Sequence, residues 1–348
     1  MGCFILSAPE HRLHTMTDRF GAPAQSDPSA PSHPAAVLYE AAARLLPGAR
    51  SAGDIAESLR LLQEASAAGH TGADALWAVM SGMGVGGAQD WHQALSHLQR
   101  AAERGSVSAR GQLLTLAGPD RGAHVDLADS QAWLRLRQSI KLEAWLQRPE
   151  KTVLSQAPRA VSIRNFVSMP VCGWLINRAR NGLQRALVHD AAREAGSEAG
   201  GRSNSYFEFN FLELDIVVLL VRARIAATLG FPVQILETPQ VLHYDVGERY
   251  ARHHDYFDPG QPGHSAQIAS GGQRIATFLV YLNADYEGGE TDFPLIGLRH
   301  RGGPGDALYF GNVEPGGAPD PRTLHAGLPP TQGEKWLLSQ WVRNRSPG

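Results

Sequence analysis

The chain has 348 residues, of which 43% are hydrophobic and 19% are charged, and its formal net charge is −2. This length is enough for two domains with separate cores, and the composition is that of a globular protein. The charge gives no electrostatic reason to expect nucleic acid or an anionic membrane surface as a partner. The only cysteines, Cys3 and Cys172, are too few for a disulfide framework and favour a reducing, cytoplasmic location.

The first residues lack the features of a targeting segment. MGCFILSAPEHR has a short apolar run without a basic region before it, and Leu6 stands where a myristoylation signal needs Ser or Thr. No stretch approaches the ~18 consecutive apolar residues that a membrane span needs. Residues 1–34 are rich in Pro, Ser and Ala and predict a disordered tail, within which Met16 is an alternative start.

Residues 35–150 have a helical pattern that repeats. SLRLLQEASAAGH, from Ser58, aligns with ALSHLQRAAERGS, from Ala94, at an offset of 36 residues. The glycine that ends each copy stands where a helix C-terminus favours a left-handed residue. A helical repeat of this length is typical of α-solenoids, and the segment resembles Sel1-like repeats, relatives of the tetratricopeptide repeat. The region is then either a concave protein-binding surface or a packing appendage without a ligand.

Residues 151–348 combine two helices with many short strands. Ser168 and Pro170 predict one helix start, and Leu212–Leu229 predicts the second helix. Short strands with frequent Gly and Pro turns predict a sandwich or closed barrel, including the double-stranded β-helix of jelly-roll or cupin-like proteins. The predicted fold class is therefore α+β, with this C-terminal domain and its flanking helices preceded by a small all-α solenoid. The predicted strands are Leu236–His243, Tyr250–Asp255, Arg274–Leu282, Glu290–Pro294, Asp306–Phe310, Arg322–His325 and Lys335–Val342.

The stretch HYDVGERYARHHDY, residues 243–256, carries the candidate chemistry. His253 and Asp255 are two residues apart and point to the same face of a strand, while His254 between them points to the other face. His325 follows 72 residues after His253 and is a candidate third ligand. Two histidines and one carboxylate with open positions form the non-haem Fe(II) oxygenase arrangement. In a chain with 14 histidines the HxD pattern also arises by chance. The alternative for this pattern alone is an exposed polar strand edge.

Lys335 strengthens the metal interpretation. It follows His325 across a turn, on what should be the neighbouring strand. Inside a barrel its ammonium would be costly without an anionic partner, which a dicarboxylate cosubstrate would supply. The alternative is that its side chain extends to solvent.

Four motifs together resemble the catalytic domain of prolyl 4-hydroxylases, which are Fe(II)- and 2-oxoglutarate-dependent dioxygenases. The resemblance extends over residues 161–343. The motifs are ETPQVLHYDVGERYARHHD (237–255), RIATFLVYLNADYEGGETDFP (274–294), GDALYF (305–310) and LHAGLPPTQGEKWLLSQWV (324–342). The resemblance implies three iron ligands, which are His253, Asp255 and His325.

The same resemblance implies a cosubstrate site. Lys335 matches the partner of the 2-oxoglutarate C5 carboxylate, and Tyr244 and Thr291 match residues that hydrogen-bond the cosubstrate. Arg274 matches a basic residue near the substrate channel, and an ion pair inside the sheet is an equal alternative for it. The implied cofactors are Fe(II), 2-oxoglutarate, O₂ and, as a reductant, L-ascorbate.

The activity implied is hydroxylation of an unactivated C–H bond with release of succinate and CO₂. The first hypothesis is a prolyl residue of a protein or peptide, recruited by the helical repeats. A free amino acid or small metabolite is the alternative substrate. A repeat-based scaffold with a degenerate oxygenase domain is the alternative of another class, and the complete ligand set argues against it. Two segments depart from the family and predict loops, Asp258–Gln273 and Arg185–Ser205.

Overall fold

A computed structural model describes residues 34–48, 51–118, 129–186 and 201–346. The predicted disordered tail lies outside these residues except for Pro34, the first residue of the first helix. Most of the predicted Arg185–Ser205 loop also lies outside them. Among the described residues, no helix is both long enough and apolar enough to cross a bilayer.

The described residues between 34 and 146 are mainly helical. Side chains cap several helix starts, as where Ser51 accepts a hydrogen bond from Asp54 N–H in a capping box. The two repeat copies bury matching positions, such as Leu62 and Leu98, and the glycines that follow them have positive φ angles. The helices are α1 Pro34–Leu45, α2 Ala52–Ala67, α3 Thr71–Met83, α4 Trp91–Glu103, α5 Val107–Ala117, α6 Ser130–Ser139 and α7 Leu142–Leu146.

The rest of the described chain combines antiparallel sheets with three helices. The helices are α8 Met169–Arg180, α9 Ile216–Leu229 and α10 Pro262–Gly271. The strands are β1 Thr152–Gln156, β2 Arg159–Ile163, β3 Gln184–Arg185, β4 Ser205–Glu208, β5 Gln240–Tyr244, β6 Tyr250–His253, β7 Arg274–Tyr281, β8 Glu287–Gly288, β9 Thr291–Phe293, β10 Leu298–His300, β11 Ala307–Gly311, β12 His325–Gly327, β13 Pro330–Gln332 and β14 Lys335–Arg343.

Two sheets form the framework of the site. The large sheet has eight strands in the order β1-β2-β11-β7-β14-β5-β4-β3, and the small one has four in the order β10-β9-β12-β6. Strand alternation gives the large sheet two different faces. On β7, Phe278 and Val280 pack with the helices, whereas Leu279 and Tyr281 pack in a second cluster with Phe293 of the small sheet. The mixed helix and antiparallel sheet prediction is confirmed, and the arrangement is consistent with a jelly roll.

The helices α8 and α9 join the helical region to the large sheet. Trp174 of α8 packs against α5 so closely that a Cβ on Gly111 would lie 2.6 Å from its ring. Gln112 of α5 accepts a hydrogen bond from the first N–H of α9, Ile216, at 2.9 Å. One hydrophobic cluster therefore runs across the predicted domain boundary between residues 150 and 151. That boundary stays a prediction.

Several local predictions need correction. The strand predicted from Leu236 begins at Gln240, and the strand predicted to reach Asp255 ends at His253. The segment predicted as the Asp258–Gln273 loop contains α10, whose last carbonyls accept hydrogen bonds from Arg343 and Arg345. The helix predicted from Leu212 begins at Ile216, because Asp215 caps it by accepting from Val218 N–H. The strand predicted over Arg322–His325 begins only at His325, because Pro321–Thr323 form a 3₁₀ turn.

Candidate active site

The three predicted metal ligands lie together between the two sheets. His253 is the last residue of β6, Asp255 follows it, and His325 opens β12 and pairs with His253 across the small sheet. His253 Nε2 is 3.5 Å from Asp255 Oδ1, and His325 Nε2 is 3.5 Å from Asp255 Oδ2. All three side chains are buried, and their ligand atoms lie within 4.8 Å of one another.

Backbone carbonyls orient both imidazoles. Nδ1 of His253 lies 2.8 Å from the carbonyl oxygen of Ala251, and Nδ1 of His325 lies 3.0 Å from that of Thr323. A carbonyl only accepts, so each Nδ1 carries the proton and each Nε2 keeps its lone pair. This is the usual outer arrangement around metal-binding histidines. Both Nε2 atoms face Asp255, whereas His254 turns the other way and its Nε2 bonds to the Pro321 carbonyl.

The protonation states suit a metal. Burial alone would raise the pKa of the Asp255 carboxyl, but the charges of His325 and His253 and the Thr277 hydrogen bond lower that pKa below its ordinary range. Burial and the charge of His253 lower the pKa of His325 to about 4. At neutral pH Asp255 is therefore ionised and His325 is neutral, as metal ligation requires. The donor set of two imidazoles and one carboxylate fits Fe(II).

Lys335 is the second notable group of the site. It is fully buried at the start of β14, and among the described residues its Nζ has no hydrogen-bond partner. Burial lowers the pKa of Lys335 to about 8, with the charge of Glu290 opposing the shift. The Nζ atom lies 4.9 Å from the centre of the Tyr244 ring. A buried ammonium of this kind needs an anion to offset its lost hydration.

One cavity connects the metal-ligand set to this lysine. Tyr244 and Thr291, the two predicted cosubstrate contacts, are buried in its wall. Burial raises the pKa of Tyr244, so its hydroxyl stays protonated and available as a donor. Thr291 Oγ1 lies 2.9 Å from the Tyr281 hydroxyl. The cavity is lined in part by Tyr244, His253, Asp255, Thr291, His325 and Lys335.

Arg274 lies at a neighbouring cavity and is held in an ion pair. Its guanidinium donates two hydrogen bonds to Glu237, at 2.7 and 2.8 Å, and Arg343 shares the same carboxylate. The guanidinium also stacks 4.0 Å from the Trp341 ring centre. The alternative role of Arg274 as an internal ion pair is thus what the structure contains, while contact with substrate stays a prediction. Trp341 lines both cavities.

Asn283 matches the family as a structural residue, and the structure shows that it brackets Lys335, a role that the sequence did not predict. Its side-chain amide accepts a hydrogen bond from Trp336 N–H at 2.8 Å and donates one to the Glu334 carbonyl at 2.7 Å. The amide thereby continues the β7–β14 ladder beyond the end of β7 and holds both peptide units around Lys335. An Asn directly after an apolar strand was the available signal for this role.

Thr277 and Asn312 were also missed. Thr277 donates a hydrogen bond to Asp255 Oδ2 at 2.6 Å, and the Asn312 amide donates to Thr277 Oγ1 at 3.0 Å. Strand alternation in RIATFLVY places Thr277 on the face of Leu279 and Tyr281, so a hydroxyl on an inward face was the signal for it.

Comparison with known proteins identifies a family and several relatives that this chain is similar to. Residues 239–343 match the family described as the 2OG-Fe(II) oxygenase superfamily. Prolyl 4-hydroxylase 1 of Arabidopsis thaliana is 32% identical over 234 residues, which cover 63% of this chain and 80% of that protein. Probable prolyl 4-hydroxylase 9 of the same plant is 34% identical over 210 residues, 56% of this chain and 71% of that protein. A viral collagen prolyl hydroxylase from Paramecium Bursaria Chlorella virus-1, solved as a 2OG complex, is 28% identical with a TM-score of 0.42, covering 53% of this chain and 94% of that one.

Proposed function

Because this chain belongs to the prolyl 4-hydroxylase family of 2OG-Fe(II) oxygenases, we propose that it hydroxylates a prolyl residue of a protein or peptide. The chain is a dioxygenase that uses Fe(II), 2-oxoglutarate and O₂, and these predictions are confirmed. The relatives named prolyl 4-hydroxylase support proline as the target residue. L-Ascorbate is proposed as the reductant that keeps the iron in the Fe(II) state.

In this proposal His253, Asp255 and His325 hold the iron. Bound iron supplies the oxidation, in which 2-oxoglutarate and O₂ become succinate, CO₂ and the oxygen atom of the new hydroxyl group. Lys335 binds the far carboxylate of 2-oxoglutarate, and Tyr244 and Thr291 line its path. The observation that supports these roles most strongly is the buried Lys335 Nζ, which has no hydrogen-bond partner among the described residues, in the same cavity as the ligand set.

The helical region is proposed to be a Sel1-like solenoid, residues 35–150, that recruits the protein substrate. The domain at residues 151–348 is proposed to be the double-stranded β-helix, and the location to be cytoplasmic. Deleting the solenoid would also uncover Trp174 and the start of α9, so point variants test recruitment better. Val37 and Val107 are 50% and 48% exposed. If the solenoid recruits substrate, Val37→Glu and Val107→Glu raise KM for a protein substrate. The KM for a short peptide stays unchanged.

Succinate formation tests the proposed reaction. The purified chain with Fe(II) and 2-oxoglutarate is assayed with a panel of proline-containing peptides and, separately, with free L-proline. Peptide-dependent succinate with hydroxyproline in the peptide is the expected result. Turnover with free proline alone would favour the small-molecule alternative, and no turnover above a His253→Ala control would refute the enzyme assignment.

A further inference from the structure

Two buried polar side chains extend from Asp255 into the core. Asp255 Oδ2 accepts a hydrogen bond from Thr277 Oγ1 at 2.6 Å, and Thr277 Oγ1 accepts one from Asn312 Nδ2 at 3.0 Å. Asn312 is fully buried and Thr277 is 1% exposed. Thr277 lies on β7, and Asn312 directly follows β11, the neighbouring strand. Asp255 is thus supported by a strand of the large sheet, although it belongs to the small-sheet side of the site.

The direction of these hydrogen bonds is determined by their chemistry. A carboxylate only accepts, so the single hydroxyl proton of Thr277 points to Asp255. The Thr277 oxygen must then accept from Asn312, and the asparagine presents its NH₂ group. The reverse orientation of the amide would draw the hydroxyl proton away and leave two oxygens in contact without a proton.

Asn312 is costly for the fold. Its backbone is held on both sides, since its N–H donates to the Ile275 carbonyl at 2.9 Å and its carbonyl accepts from Asp320 N–H at 3.1 Å. Its side-chain Oδ1 is buried and, among the described residues, has no hydrogen-bond partner. Such an unpaired acceptor destabilises the native state, and an apolar side chain would avoid that cost. Polar groups that break this rule occur mainly where function requires them.

The three ligands therefore differ in their support. Both histidines use a backbone carbonyl two residues earlier in their own segment. Asp255 instead depends on two side chains of distant segments, with Thr277 donating a hydrogen bond to its Oδ2. Oδ1 takes no hydrogen bond from Thr277 and lies 3.5 Å from His253 Nε2, so it is the less committed of the two oxygens.

We propose that Asn312 and Thr277 form a positioning relay that fixes the Asp255 carboxylate and presents Oδ1 to the metal. The relay rests on the proposed function, namely that His253, Asp255 and His325 bind iron. Neither Thr277 nor Asn312 touches the metal; each acts through Asp255. Outer partners of metal ligands typically contribute ~10–100-fold to metal affinity.

Mn(II) binding to the purified full chain, followed by electron paramagnetic resonance, tests the relay without an activity assay. Thr277→Val removes the hydroxyl at similar volume and is expected to weaken Mn(II) binding by ~10–100-fold. Thr277→Ser keeps the hydroxyl and is expected to retain the affinity. Asn312→Ala is expected to weaken binding, and because it acts through Thr277 the double variant should be no weaker than Thr277→Val alone.

A matched control separates positioning from general destabilisation. Thr228 is 1% exposed and bonds the Arg224 carbonyl in α9, far along the chain from the site. Thr228→Val should lower the melting temperature and leave Mn(II) affinity unchanged. Equal Mn(II) affinity in wild type and folded Thr277→Val overturns the relay, and if that variant does not fold, Asn312→Ala decides by the same criterion. A wild-type chain that fails to bind Mn(II) would instead refute the proposed ligand set, and the relay with it.

Discussion

The helical region and the sheet region each bury a charged side chain, but the two side chains differ in whether the described residues supply hydrogen-bond partners. Asp74 in α3 is fully buried, but Arg104 contacts it at 2.6 Å and the Ser66 hydroxyl at 2.7 Å. Lys335 in β14 is equally buried and has no hydrogen-bond partner among the described residues. A charge whose partners come from the same chain belongs to the fold. A charge without them indicates a ligand, here the cosubstrate, so the contrast separates the structural region from the chemical one.

The largest expected effect is at the ligand set. His253→Ala should reduce turnover to background and weaken Mn(II) binding by more than the ~10–100-fold that an outer partner contributes. His254 is the matched control, because it adjoins His253 but bonds to the Pro321 carbonyl outside the cavity. His254→Ala should retain metal binding. Equal losses in the two variants would contradict the assignment of His253.

Asp74 should behave as a structural charge. Asp74→Ala leaves Arg104 without its carboxylate. Because Arg104 is 33% exposed, the free energy of unfolding should fall by about 3 kcal/mol, the lower end of the range for a buried pair. Chemical denaturation monitored by circular dichroism measures the change. The metal affinity of the folded fraction should be unchanged. A stable Asp74→Ala variant with altered metal binding would remove the distinction between the two regions.

Replacing Lys335 should change the free energy of unfolding in the opposite direction, in the protein without cosubstrate. Lys335→Met removes a buried ammonium that lacks a hydrogen-bond partner, and the free energy of unfolding should rise by about 2 kcal/mol at pH 7. Lys141, an exposed lysine of the helical region, is the control, and Lys141→Met should change stability little. A destabilised Lys335→Met protein would show that the lysine serves the fold instead.

The smallest expected effect is on the pH dependence of cosubstrate affinity. The pKa of Lys335 is lowered to about 8, so the ammonium is present below that pH and is lost above it. Above pH 8 the anion must bind together with a proton, and the affinity for 2-oxoglutarate should fall by about tenfold per pH unit. Calorimetric titrations between pH 7 and about 9.5 measure it. An affinity that is constant over this range would contradict a neutralised Lys335.

Much of the site was predictable because it depends on short-range pattern. The two-residue spacing predicted that His253 and Asp255 face the same side, and they do lie together, although β6 ends at His253 and Asp255 lies just beyond it. The structure places His325 and Lys335 beside the same cavity. The relay was not predictable, because Asn312 and Thr277 are 35 positions apart and only the pairing of β7 with β11 joins them. The helix α10 was missed since its Gly- and Ser-rich sequence has low helix propensity, and Arg343 and Arg345 stabilise it from β14 and beyond.

The most direct test of whether the buried Lys335 ammonium marks the cosubstrate site is isothermal titration calorimetry. It compares the binding of 2-oxoglutarate to Mn(II)-loaded wild type and to Mn(II)-loaded Lys335→Met. Removing one partner of a buried charge pair costs about 2–5 kcal/mol, so the dissociation constant should rise by at least ~30-fold while Mn(II) still binds. Equal affinity for 2-oxoglutarate in the two proteins would contradict the placement of the cosubstrate at Lys335.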